Sequence, residues 1–94
     1  MNAPQVVIGL DASPRVAGHF RLQWEEVQKA WVLLYPEGMV KLNGSAGEIM
    51  QRLDGEKTVQ TLIEDLEREF ETTELAADVL DFLAIAQHQG WVRP

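Results

Sequence analysis

The sequence predicts an α+β domain in which a three-stranded antiparallel sheet is followed by three helices, and two features of the chain carry that expectation. Residues 20–42 hold three short segments of strand character with short connections, whereas residues 46–89 hold apolar side chains at helical spacing. At the junction, a turn, an edge-strand candidate and a helix start are packed into residues 35–49.

Residues 1–14 come first, with Val6, Val7, Ile8 and Leu10 apolar and Pro4 and Pro14 flanking them. They are expected to form either a flexible arm or one exchanged between two subunits, and only the second alternative makes a homodimer. No Lys or Arg precedes the apolar run, and Asp11 and Pro14 break it. It therefore reads as neither a signal peptide nor a membrane span. Phe20, Leu22 and Trp24 then alternate with His19, Arg21 and Gln23, the period of two expected for a half-buried strand. Residues 27–34 form a second, more apolar segment around Trp31, and residues 39–42 a third. Short connections make the three most simply an antiparallel meander. Between the last two, Pro36 and Gly38 fit a type I turn, where the fixed φ of proline suits the first corner.

Ser45, with Glu48 three residues later, reads as a capping box that opens the first helix. Ala46, Ile49, Met50 and Leu53 share one face of it, and Asp54-Gly55 closes it. Thr58 caps the second helix, whose stripe of Val59, Leu62, Ile63, Leu66 and Phe70 lies opposite Glu64, Glu67, Arg68 and Glu71. Thr72 and Thr73 separate it from a third helix over residues 74–89, which Gly90 ends, and Trp91 and Val92 fold back onto the domain. The third helix carries an apolar arc of about 200°, wider than one core-facing stripe requires. The excess fits either a helix sandwiched between the others and the sheet or a flank, Val79, Leu80, Leu83 and Ala84, that lines a groove.

Ninety-four residues fit a single domain, residues 1–94. The absence of cysteine excludes disulfides, thiolate nucleophiles and cysteine-based metal sites, and makes the cytoplasm the expected compartment. Net charge is −7, and it is unevenly spread: five acids balance five bases up to Leu53, whereas from Asp54 to Asp81 ten acids face only Lys57 and Arg68. Such a surface repels a phosphate backbone, so nucleic acid is not an expected partner. The acidic stretch reads as a solvated helix face or as a docking surface for a basic partner.

Catalytic chemistry is not legible. Ser13 precedes a proline, Ser45 serves as a cap, and His19 and His88 stand far apart without cysteine neighbours. The carboxylates follow helical solvent faces, and neither a calcium loop nor a phosphate-binding glycine loop is present. Trp24, Trp31 and Trp91 read as core or satellite-core residues and not as a stacking platform for bases. The expectation is a protein that is not an enzyme and needs no cofactor or metal.

The order of elements is winged helix-turn-helix-like. In an acidic version of that fold, an extended peptide can be accepted along an exposed strand edge. The run Trp31-x-Leu33-Leu34-Tyr35-Pro36-Glu37-Gly38-x-Val40-x-Leu42-Asn43, with Ala46, Ile49, Leu53, Asp54-Gly55 and Thr58-Val59, resembles the PqqD family of pyrroloquinoline quinone biosynthesis. The resemblance runs from about Leu10 to Val92. It implies a non-catalytic, cytoplasmic chaperone that binds the precursor peptide PqqA and delivers it to the radical S-adenosylmethionine (SAM) enzyme PqqE. It further implies that the peptide is held as an added strand, which points to Val40, Lys41 and Leu42 on the edge and to Val79, Leu80 and Leu83 on the third helix. On that reading, Leu42→Asp or Leu83→Asp abolishes binding while the fold survives. A recognition domain for another modified-peptide pathway fits the same pattern, and a winged-helix DNA-binding regulator rests on element order alone.

Overall fold

A computed structural model describes residues 8–94 of the chain. Along them lie β1 (Arg15–Val16), β2 (Arg21–Glu25), β3 (Ala30–Tyr35), β4 (Gly38–Lys41), α1 (Gly44–Met50), α2 (Val59–Glu69), α3 (Ala76–His88) and β5 (Val92–Arg93). The expected meander is present as the antiparallel sheet β2-β3-β4, and the three helices follow it. A second, two-stranded sheet pairs β1 with β5. It brings the two ends of the described chain together, with Val92 buried and the Ala17 N–H donating to the Trp91 carbonyl at 2.8 Å.

The period-two pattern places Leu22, Leu33 and Val40 in register across one sheet face, and that face meets the helices. Leu33, Met50, Leu62 and Leu83 are fully buried at the centre. The β2–β3 hairpin closes at the pair Glu25 and Ala30, so β3 begins three residues later than expected and Val27 stands out at the tip, 92% exposed. In the β3–β4 hairpin, neither Pro36 nor Glu37 has a positive φ, which excludes types I′, II and II′ and agrees with the type I reading.

Helix α1 corrects two expectations. Its cap is Asn43, whose Oδ1 accepts from the Ala46 N–H at 2.8 Å, while Ser45 donates its hydroxyl to the same oxygen and Glu48 turns to Arg52. The chain leaves β4 extended at Asn43, so this side chain reaches the free N–H groups before Ser45 does. The helix also ends at Met50, ahead of Asp54-Gly55. Asp54 instead accepts from the N–H groups of Glu56 and Lys57, at 2.9 and 2.7 Å, and Gly55 (φ +78°) shapes that loop. Thr58 caps α2 as expected. Two further N–H groups of its first turn, from Val59 and Gln60, donate to the carbonyls of Ala12 and Leu10. The arm expected over residues 1–14 is thus anchored from Ile8 onward: Ile8 and Pro14 are buried and the segment completes the start of α2. Residues 1–7 lie outside the described residues.

Both longer helices end in paired main-chain bonds. After α3, Gly90 (φ +80°) places the N–H groups of Gly90 and Trp91 on the carbonyls of Gln87 and Ala86. After α2 the same role falls to Glu71 (φ +51°), with Thr72 N–H on the Glu67 carbonyl, and Glu74 (φ +64°) makes a second left-handed bend. These bends carry the chain round so that Glu67 accepts from the Leu75 N–H at 3.0 Å at the start of α3.

Helix α1 lies close against β3. A Cβ added at Gly47 would stand 2.9 Å from Trp31 Cδ1 and 3.2 Å from its Cβ. Gly47→Ala is therefore expected to destabilise the domain by about 1–3 kcal/mol, because displacing the indole outweighs the helix propensity gained. A lower midpoint in urea denaturation is the expected reading.

Two aspartates tie the charge network to pH. Lys57 and then Arg68 hold the Asp65 carboxyl below its usual range, and main-chain N–H groups from Lys57 and Glu56 do the same for Asp54. A depressed folded value means the stabilisation is present above the unfolded carboxyl value, near 4, and disappears as pH falls through the lower folded values. The thermal midpoint is expected to decline on acidification below about pH 4, and less steeply in Asp65→Asn.

Candidate functional site

Sheet order leaves β4 at one edge and β2 at the other, and among the described residues no strand pairs with either outer side. The ladder itself shows which groups face out. The Leu42 N–H donates to the Trp31 carbonyl at 3.0 Å, so Trp31 and Leu42 are a hydrogen-bonded pair, and by alternation Leu33 with Val40 and Tyr35 with Gly38 are too. The N–H and C=O groups of Met39 and Lys41 consequently point away from β3, along the free edge. Both side chains are exposed on the face opposite the helical core.

Next to the exit of β4 lies a groove of about 460 Å³. Its first wall is the start of α1 (Asn43, Ser45, Ala46, Glu48, Ile49), and its second is the end of α2 (Leu66, Phe70). The start of α3 closes it with Leu75, Asp78, Val79 and Phe82, and Thr72 contributes from the bend. Phe70, last in the apolar stripe of α2, is half exposed because the helix ends at it and the chain turns away. The lining is mainly apolar, and the volume lies within the range of about 300–1,000 Å³ seen for ligand pockets. Glu48 at the rim is paired with Arg52 at 2.7 Å, and Arg52 also reaches Glu69, which fastens α1 to the end of α2.

The six residues singled out from the sequence fall into separate roles. Lys41 is on the free edge, and Val40 beside it packs half-buried on the core. Leu42 (4% exposed) and Leu83 (0%) are core residues, and neither lines the groove. Strand alternation and the helical period turn both toward the other helices, so their expected place on the peptide-contacting surface is a packing position in this structure. Val79 is buried but lines the groove, whereas Leu80 is half-buried outside it. The third-helix surface in the groove is thus the flank with Leu75, Val79 and Phe82, because the start of α1 and the end of α2 line the groove on that side. Met39, Ile49, Phe70, Leu75 and Phe82 were not singled out as contact residues. Parity of the ladder identifies the first, and the meeting of three helix ends identifies the others.

Among the described residues no group of three His, Asp or Glu side chains is arranged to hold a metal ion, and no helix is long and apolar enough to cross a membrane.

Comparison with known proteins gives concordant results. The family profile of Coenzyme PQQ synthesis protein D (PqqD) matches residues 30–92. A protein of Acinetobacter baumannii named PqqA binding protein is 45% identical over 93 residues, covering 98% of this chain and 97% of its own. One of the same name from Azotobacter vinelandii is 42% identical over 84 residues, covering 88% and 91%. A solved structure is also similar: the solution NMR structure of the PqqD part of PqqCD from Methylobacterium extorquens, described as a functional, stand-alone recognition element for ribosomally synthesized and post-translationally modified peptides. It superposes with a TM-score of 0.75 at 26% identity, covering 93% of this chain and 97% of that one.

Proposed function

The chain belongs to the PqqD family, and from that premise we propose that it is a single, non-catalytic peptide-binding domain whose client is the precursor peptide PqqA. The names of its relatives support the client. The observation that carries the mechanism is the free edge of β4. An extended peptide laid along it satisfies the outward N–H and C=O groups of Met39 and Lys41, which a soluble protein otherwise leaves as an aggregation hazard. Main-chain bonds supply affinity without reading sequence. Sequence is read by side chains: the groove opens at Asn43, two residues beyond Lys41, and admits apolar side chains of the peptide against Ile49, Phe70, Val79 and Phe82.

In this reading Val40 and Lys41 form the edge, Leu42 and Leu83 fix its position from the core, Val79 is the floor of the groove and Leu80 supports α3. The bound peptide is then presented to the radical SAM enzyme PqqE, in the cytoplasm. The protein contributes an extended, ordered peptide backbone and no reacting group. Calorimetric titration with synthetic PqqA tests this reading, with a scrambled peptide as control. Saturable binding of the native peptide alone is expected, whereas equal binding of the scrambled peptide, or none of either to the folded protein, contradicts it.

A further inference from the structure

Resting on that reading, we infer that Asp78 is a specificity-determining residue that pairs with a Lys or Arg of the peptide, adjacent to the apolar side chain seated in the groove. Two carboxylates stand on the groove's lining, Glu48 and Asp78. Glu48 already has a cation, Arg52. Asp78 is exposed in the first turn of α3 and has no ion-pair partner among the described residues.

The chain around it has no cation to spare. From Glu48 to Asp81 there are eleven acids and three bases, Arg52, Lys57 and Arg68. Arg52 holds Glu48 and Glu69, while Lys57 and Arg68 both hold Asp65. An apolar groove bordered by an unneutralised carboxylate, in a region of excess negative charge, favours a peptide that carries an apolar side chain with a cation beside it. A peptide with an acid there meets like charge instead. Seating the peptide also removes water from the carboxylate, which makes an unpaired Asp78 costly and a paired one selective.

The position at the start of α3 gives Asp78 a structural role as well, through the helix dipole. The experiment separates the two. Calorimetry measures synthetic PqqA, and versions with each Lys and Arg changed singly to Gln, against wild type, Asp78→Asn and, as a control on the outer face of α2, Glu64→Gln. One cation is expected whose loss weakens binding to wild type by about three- to tenfold and has little effect on binding to Asp78→Asn, the non-additive signature of a direct pair. Glu64→Gln is expected to match wild type. A purely structural role for Asp78 would weaken all peptides alike. Additive losses, an unchanged Kd in Asp78→Asn, or a client with no cation coupled to Asp78 would each overturn the inference while leaving the peptide-binding reading in place. Absence of saturable binding to wild type would remove that reading, and this inference with it.

Discussion

Lys41→Pro is expected to weaken binding of PqqA by roughly 30- to 1,000-fold while leaving the domain folded. The Lys41 N–H points out of the sheet, so proline there removes no bond of the β3–β4 ladder, and proline on a strand edge with that orientation is tolerated. What it removes is a main-chain donor offered to an added strand, and the ring occupies the space that strand needs. Losing the bond and leaving a peptide carbonyl unpaired costs about 2–4 kcal/mol, which sets the fold-change. Val40→Pro is the informative companion. Its N–H belongs to the pair with Leu33, so the substitution breaks the sheet itself. A folded Lys41→Pro protein with an unchanged Kd would show that the peptide lies elsewhere.

Leu83→Asp is expected to unfold the domain. Leu83 is 0% exposed among the central core side chains. Truncating a buried Leu costs about 2–5 kcal/mol, and placing a carboxylate in an apolar site adds several more. Together these approach the 5–15 kcal/mol that holds a typical domain together. Loss of the far-ultraviolet circular dichroism signal and collapse of amide shift dispersion are the expected readings. The loss of binding expected from the sequence for this variant therefore follows from unfolding and does not map a contact. Phe82→Asp, half-buried at the groove, is the variant that tests the groove with the fold intact.

The contrast between these variants shows which features are local in the chain. The meander, the Thr58 cap and the Gly90 exit were legible because each depends on a few consecutive residues whose preferences agree. The cap of α1 was misplaced by two residues because Asn43 and Ser45 are both good caps, and only the direction of the chain leaving β4 selects between them. Strands β1 and β5 are two residues each, too short to show a period, and exist because distant segments meet. The groove is less legible still. Its shape depends on how α2 ends and α3 begins, and that bend is made by Glu71 and Glu74 in the left-handed region, where no glycine marks it. The apolar arc of α3 is wide in the sequence, yet which flank faces the groove depends on where the start of α1 and the end of α2 lie.

Strand addition at β4 is most directly tested by amide hydrogen exchange of the free and PqqA-saturated protein, read residue by residue by NMR. In the free protein the N–H groups of Met39 and Lys41 are expected to exchange quickly and that of Val40 slowly, because only Val40 is bonded within the sheet. Saturation with peptide should slow Met39 and Lys41 strongly, and those of the opposite edge, Leu22 and Trp24, little. Saturable binding with Met39 and Lys41 still exchanging quickly, or protection appearing on the β2 edge, would contradict the placement of the peptide on β4.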